Sequence, residues 1–336
     1  MSGATASAGF RSIGEKYGFS WQQTMLRIKD PAISVPFYEK HFGMKLIHKY
    51  TFDEAGFSLF FLERPRDGAT LPTPGTRESE RYLWNMNGVC LELTHNHGSE
   101  KDPNFRVNNG NEEPHRGFGH IAFNCPDVVQ VSEELEKEGV AFRKRPHEGR
   151  MKTIAFALDP DGYWIELCNR SPSCPFPEKF NLSQTMIRVK DPEKALKFYC
   201  DILGMKLLLK SKKEDFTNYF LAHLEPGATP PDPEGPDAPS FVKSLWMPVL
   251  ELTHNHGTEN DAAFSYHNGN DAPQGFGHIG MLCDNLEKAC EELEAAGVKF
   301  RKRPQRYGLR ADAKRAFFMF PLYPVVAVAV LSRMEK

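Results

Sequence analysis

At 336 residues the chain is long enough for two or more domains, and 40% hydrophobic with 26% charged residues is an ordinary globular balance. A net charge of −2 gives no electrostatic footing for nucleic acid, and no run approaches the ~20 apolar residues that span a bilayer. Seven cysteines, odd in number and without a CxxC pair, point to free thiols in a reducing, cytoplasmic setting rather than a disulfide framework.

Along the chain, residues 1–20 lack the apolar centre of a secretory signal, and their Ser, Arg and Lys content leaves only a transit peptide open. A strand is predicted from Thr24, with Gln23, Met25 and Arg27 on one face and Thr24, Leu26 and Ile28 on the other. Asp30 then reads as a helix N-cap, Pro31 as the first helical residue and Gly43 as the stop, with Pro36 an awkward occupant between them. Residues 63–80 are a surface loop. In the next strand Glu92, Thr94 and Asn96 share a face. His120 follows Arg116-Gly-Phe-Gly and opens another strand, a helix is predicted over Val128–Lys137 with Gly139 behind it, and in residues 163–167 Trp164 and Glu166 share a face.

The second half repeats the first. Residues 23–47 (QTMLRIKDPAISVPFYEKHFGMKLI) match 184–208 (QTMIRVKDPEKALKFYCDILGMKLL), and LELTHNHG occurs at 91–98 and 250–257. RGFGHI at 116–121 matches QGFGHI at 274–279, and GVAFRKRP at 139–146 matches GVKFRKRP at 297–304. Four colinear matches at nearly constant offset mean tandem domains, here placed at residues 20–170 and 181–304, joined by a proline-rich linker at 171–180 and followed by an atypical tail at 305–336. A helix over Leu286–Ala295 mirrors Val128–Lys137, and 225–239 is the second surface loop. The pattern is α+β. The repeated Arg-Lys-Arg runs read as solvated faces or small-anion contacts.

Carboxylates and an amide inside otherwise buried strands need partners, because an unpaired buried charge is costly. Gln, Glu and His recur in both halves as Gln23/Gln184, Glu92/Glu251 and His120/His278. An imidazole, two carboxylates and an amide oxygen form an N/O set suited to Zn²⁺ and open to Ni²⁺, Co²⁺ or Mg²⁺. His95/His97 and His254/His256 are a rival ligand set, better read as polar residues entering a turn.

The segments QTMLRIKDP, FYEKHFGMKL, LELTHNHG, NGNEEPHRGFGHI and GRMKTIAFALDPDGYWIEL, with their second-half echoes, resemble glyoxalase I of the two-domain fungal type, within the vicinal oxygen chelate superfamily. The resemblance implies paired βαβββ modules around cupped mixed sheets, with sites between the two domains of one monomeric chain. It implies one metal site from Gln184 and Glu251 with His120 and Glu166. A second takes Gln23, Glu92 and His278 but has no fourth ligand. Counting on from His278 places that position near Pro324, and after Pro304 no DPDGYWIE occurs; Asp312 and Glu335 are the only acids left. The last module is therefore expected to be incomplete, with a bared sheet edge.

The implied activity is isomerisation of the glutathione–methylglyoxal hemithioacetal to S-lactoylglutathione through an enediolate, with glutathione as co-substrate, a divalent metal, Glu166 as base and Glu251 opposite it. Arg188, Asn255, Arg116, Lys144, Arg150 and Met151 are implied in substrate binding, with Arg27 and Asn96 their equivalents at the second site. Neither a nucleic-acid nor a membrane partner is implied. The alternatives are an inactive or single-site product of the altered C-terminus, or another oxygen chelate protein such as an extradiol dioxygenase or a bleomycin-resistance-like binder.

Overall fold

The computed structural model describes residues 12–65, 70–149, 151–225, 227–300, 319–322 and 326–334. Four modules follow one another. The first has α1 (Ile13–Lys16), β1 (Ser20–Ile28), α2 (Pro31–Phe42), β2 (Lys45–Phe52), β3 (Phe57–Glu63), α3 (Arg77–Leu83) and β4 (Cys90–Asn96). The second has β5 (Phe118–Cys125), α4 (Val128–Lys137), β6 (Phe142–Lys144), β7 (Ile154–Leu158) and β8 (Trp164–Asn169). The third has β9 (Asn181–Arg188), α5 (Pro192–Leu196), β10 (Lys206–Lys212), β11 (Phe216–Ala222), α6 (Ala238–Ser244) and β12 (Val249–Asn255). The fourth has β13 (Phe276–Cys283), α7 (Leu286–Ala295), β14 (Met319–Leu322) and β15 (Val326–Ser332).

Local chemistry sets the helix limits. Asp30 accepts the Ala32 N–H at the start of α2, and Gly43, at φ 65°, donates the closing N–H to the Tyr38 carbonyl. The helix runs through Pro36, with Tyr38 and Phe42 anchoring it by complete burial. Asp127 and Asn285 cap α4 and α7 in the same way.

The sheets do not follow the halves of the sequence. One has the order β14-β15-β13-β1-β4-β3-β2, joining the fourth module to the first; the other, β10-β11-β12-β9-β5-β8-β7-β6, joins the third to the second. Both are mixed: β1 runs antiparallel to β13 and parallel to β4, and β9 runs antiparallel to β5 and parallel to β12. Equivalent residues meet where the sheets approach each other: the Thr24 and Thr185 hydroxyls are 2.7 Å apart, and the Phe118 and Phe276 rings stack at 5.0 Å. Helices hold each half together. Phe42 of α2 packs on Phe123 of β5 at 4.5 Å, which ties the first module to the second.

The expectation that the last module loses its closing strands is corrected. β15 lies parallel to β13 as β8 lies parallel to β5, and β14 lies antiparallel beyond it as β7 does beyond β8. The physical reason is that a strand at this place needs β-branched apolar residues and a free ladder, not the DPDGYWIE motif. Val328 and Val330 supply the former and are fully buried. Residues 301–318 lie outside the described set, and with them Asp312. Glu335 lies outside it as well.

Candidate metal centre and active site

Four neighbouring strands of the eight-stranded sheet, in the order β12-β9-β5-β8, carry Glu251, Gln184, His120 and Glu166. Register brings them together: Ala122 of β5 sits beside Gln184 on one side and Glu166 on the other, two residues from His120. His120 Nε2 lies 2.9 Å from Glu166 Oε2 and 3.5 Å from Glu251 Oε2. The Gln184 carboxamide lies 2.6 Å from Glu166 Oε2, 2.8 Å from Glu251 Oε2 and 3.3 Å from His120 Nε2. Among the described residues this is the one group of three His, Cys, Asp or Glu side chains close enough to share a metal ion.

Electrostatics fits a cation. Burial pulls the His120 imidazole down, but Glu166 and then Glu251 outweigh it, and the net result is a rise to about 9. Burial pushes Glu251 up, against the pull of His120. Two buried carboxylates thus converge on one imidazole, and a cation among them would offset the cost of their burial. With an imidazole nitrogen and an amide oxygen, the donor set suits Zn²⁺, Ni²⁺ or Co²⁺.

The surroundings include residues with no signal in the repeat. Asn218 of β11 donates to Glu251 Oε1 at 2.5 Å and accepts from Thr253 Oγ1 at 3.0 Å. By register its counterpart in the first half is Leu59, so comparing the halves could not find it. Phe156 of β7 sets its ring edge-on to His120 at 5.4 Å.

The residues proposed to bind substrate are dispersed in role. Arg188 is buried and already engaged, donating to the carbonyls of Gly110 and Phe118 and to Asn111 Oδ1; burial, then Arg116, lower it to about 10. It holds the loop that carries Arg116 rather than offering a free cation. Arg116 is more open, 3.2 Å from Glu113. Asn255 donates to the Tyr266 hydroxyl at 2.6 Å. Lys144 donates to the carbonyls of Met151 and Ile154, both at 2.7 Å, and Met151 is exposed. Arg150 lies outside the described residues. Arg27 mirrors Arg188, donating to Asn270 Oδ1 at 2.9 Å and to the Gly275 carbonyl at 3.2 Å. Asn96 ends β4.

The second cluster is incomplete. Gln23 of β1, Glu92 of β4 and His278 of β13 converge: His278 Nε2 is 2.9 Å from Gln23 Nε2 and 3.4 Å from Glu92 Oε2, and Gln23 also contacts Glu92. The fourth position is held by Ala329 of β15, paired with Gly280 as Glu166 is paired with Ala122. It is Ala329 and not Pro324, because the segment between β13 and β15 is longer than its counterpart. Gln23 Oε1 and His278 Nδ1 are buried without hydrogen-bond partners among the described residues. Three donors with a methyl in the fourth place do not fit the metal as the first cluster does.

The histidine pairs after both central strands do not form a centre. His95 and His254 bind Glu100 and Glu259 at 2.8 and 2.7 Å, while His97 and His256 contact Ser58 and Thr217, both at 2.9 Å.

Paired modules with a His, Gln and two Glu on adjacent strands define a metal-site class, and the family model of the Glyoxalase/Bleomycin resistance protein/Dioxygenase superfamily matches residues 21–167 and 181–314. The chain is 50% identical over 279 residues to glyoxalase I of Saccharomyces cerevisiae, covering 81% of this chain and 80% of that protein. It is 43% identical over 291 residues to the lactoylglutathione lyase of Schizosaccharomyces pombe, covering 85% and 88%. The crystal structure of glyoxalase I from Zea mays superposes with a TM-score of 0.67 at 25% identity, covering 94% of this chain and 92% of that one. The chain belongs to the glyoxalase I family.

Proposed function

We propose that this chain is a lactoylglutathione lyase, converting the hemithioacetal of methylglyoxal and glutathione to S-lactoylglutathione from a single catalytic centre. The observation that carries this is the convergence of His120, Glu166, Gln184 and Glu251 in one buried cluster, set against the three-donor cluster at Gln23, Glu92 and His278.

A divalent cation, Zn²⁺ foremost with Ni²⁺ and Co²⁺ as alternatives, held by Gln184, Glu251, His120 and Glu166 would supply positive charge to the developing enediolate oxygens. Glu166 is the base. It takes the proton from the carbon bearing sulfur, the electron pair forms the carbon–carbon double bond, the same carboxyl returns the proton to the neighbouring carbon, and the hydroxyl proton passes from the oxygen on the sulfur-bearing carbon to the oxygen on its neighbour, leaving the thioester carbonyl. Glu251 is less suited to move, because Asn218 holds its second oxygen; it stays as the opposing carboxylate. Arg116 and Lys144 face the glutathione carboxylates, and Arg188 keeps the Arg116 loop in place. The seven free cysteines suit a cytoplasmic protein. Sheets closed between halves of one chain suit a monomer. Among the described residues no helix is long and apolar enough to cross a membrane.

The test is metal content per chain measured with isomerase activity. About one ion with activity supports the reading. A folded, metal-loaded protein in which Glu166→Gln keeps full activity would sink the assignment of the base.

A further inference from the structure

The four-donor cluster holds its two carboxylates unequally. Glu251 has both oxygens engaged: Oε2 lies 2.8 Å from Gln184 and 3.5 Å from His120, and Oε1 accepts the Asn218 amide at 2.5 Å. Glu166 is engaged through Oε2 alone, 2.9 Å from His120 and 2.6 Å from Gln184, and its Oε1 has no hydrogen bond among the described residues. A carboxylate that swings away from the cluster must break every bond it makes. The relative freedom of the two glutamates is therefore set from outside the donor set, by Asn218.

Asn218 is itself held. Its Oδ1 accepts Thr253 Oγ1 at 3.0 Å, which turns the Nδ2 side to Glu251. Asn218 stands opposite Thr253 and Phe220 opposite Glu251, so the relay Thr253–Asn218–Glu251 runs across one face of the β11–β12 pair. The first half shows what the fold alone requires at this place. There Leu59 stands opposite Thr94 and is 5% exposed; with no amide between them, Thr94 Oγ1 donates to Glu92 Oε1 directly, at 3.3 Å. The strand pair thus accepts an apolar residue at this register position. The half-buried amide appears beside the four-donor set and is replaced by leucine beside the three-donor set.

We propose that Asn218 is a positioning residue of the metal centre: steadied by Thr253, it orients Glu251 as the fixed carboxylate of the cluster and leaves Glu166 as the movable one. The proposal rests on reading the four-donor cluster as a metal site. An amide N–H donating to a carboxylate makes a charge-assisted bond, and partners of this kind behind a ligand tune metal affinity without touching the ion or the substrate.

Zn²⁺ alone is the probe, its affinity for the full-length protein measured by competition with a chelator, with the visible absorption of the Co²⁺-loaded protein as a second readout. Asn218→Leu, which copies Leu59, is expected to weaken Zn²⁺ binding by about 10–100-fold and to change the Co²⁺ spectrum, because Glu251 is then free to turn. Thr253→Val weakens binding by about threefold and adds nothing in the Asn218→Leu background, where the relay is already cut. Should Asn218→Leu not fold, Thr253→Val carries the test by the same two readouts. Zn²⁺ affinity unaltered in the variant overturns the proposal. So does weaker binding with an unchanged Co²⁺ spectrum, or full additivity of the two substitutions. A wild-type protein that takes up no Zn²⁺ overturns the metal-centre reading itself, and this proposal with it.

Discussion

Two clusters built from the same repeat sit in two sheets of the same design, and their donor sets differ at one strand. In the eight-stranded sheet β8 brings Glu166 to the cluster; in the seven-stranded sheet β15 brings Ala329 to the equivalent place. The difference separates two demands on one strand. Completing the sheet requires apolar, β-branched residues and an open ladder, which the altered tail supplies. Completing the site requires one carboxylate at one register position, which it does not. Fold and function here part company at a single side chain.

The largest expected effect tests the asymmetry directly. Glu166→Gln is isosteric and removes the base, so kcat falls by about 10²–10⁴-fold, whereas His278→Ala in the second cluster leaves kcat per chain unchanged. A loss of half the activity in His278→Ala would show that the second cluster turns over, and would erase the contrast. Next in size is repair. Ala329→Glu places a carboxylate where Gln23 and His278 leave polar atoms without partners among the described residues, and is expected to raise metal content from about one to about two ions per chain. Metal analysis at matched thermal stability separates a restored site from a damaged fold, since a glutamate for a buried alanine also risks overpacking.

Much of this contrast was legible in the sequence, and the illegible part has physical causes. Helix limits are local: Asp127 before Val128 and Gly139 behind Glu138 mark α4 with no help from the rest of the chain. Three donors of the first cluster, Gln184, Glu251 and His120, were legible because the second half repeats them, whereas Glu166 rested on its place in the buried strand and on the resemblance carried by DPDGYWIEL. What escaped depends on long-range register. Nothing local says that β15 would pair with β13, or that Ala329 rather than Pro324 would meet Gly280. That each site draws on both halves is implied by the resemblance, and the sheets do the same. Asn218 escaped because its counterpart is Leu59, so repetition carried no signal. Arg188 was legible as a residue on the ligand face, but not as one whose donors are spent on Gly110, Phe118 and Asn111.

A third comparison concerns the tyrosines on the helices. Tyr38→Phe leaves the buried Asp159 carboxyl short of a donor, and should cost about 1–3 kcal/mol. Tyr199→Phe removes a hydroxyl with no hydrogen bond among the described residues and should cost less. Chemical denaturation of the two variants side by side reads the difference, and equal losses would contradict it.

The last comparison contrasts two clamps that do the same work with different chemistry. In the first half Arg64 donates to the carbonyls of Gly43, behind α2, and Phe180, before β9. By register its counterpart is His223, which donates from Nε2 to the Leu203 carbonyl at 2.9 Å and accepts the Trp21 N–H at Nδ1 at 3.3 Å. Burial lowers His223 to about 4, only partly offset by its bond to Leu203. The folded value lies below the unfolded one of about 6.5, so the unfolded chain takes up a proton that the folded chain refuses. Stability from this group is therefore present above pH 6.5 and is lost as pH falls toward 4, with a slope approaching about 1.4 kcal/mol per pH unit. Asp159, which burial and Asp161 push up to about 7, acts in the opposite sense, its contribution being lost as pH rises through that value. The readout is consequently the difference in Tm between wild type and His223→Gln across pH 4 to 7. A difference that shrinks toward low pH assigns the acid-sensitive clamp to His223; a flat difference returns both clamps to equal standing.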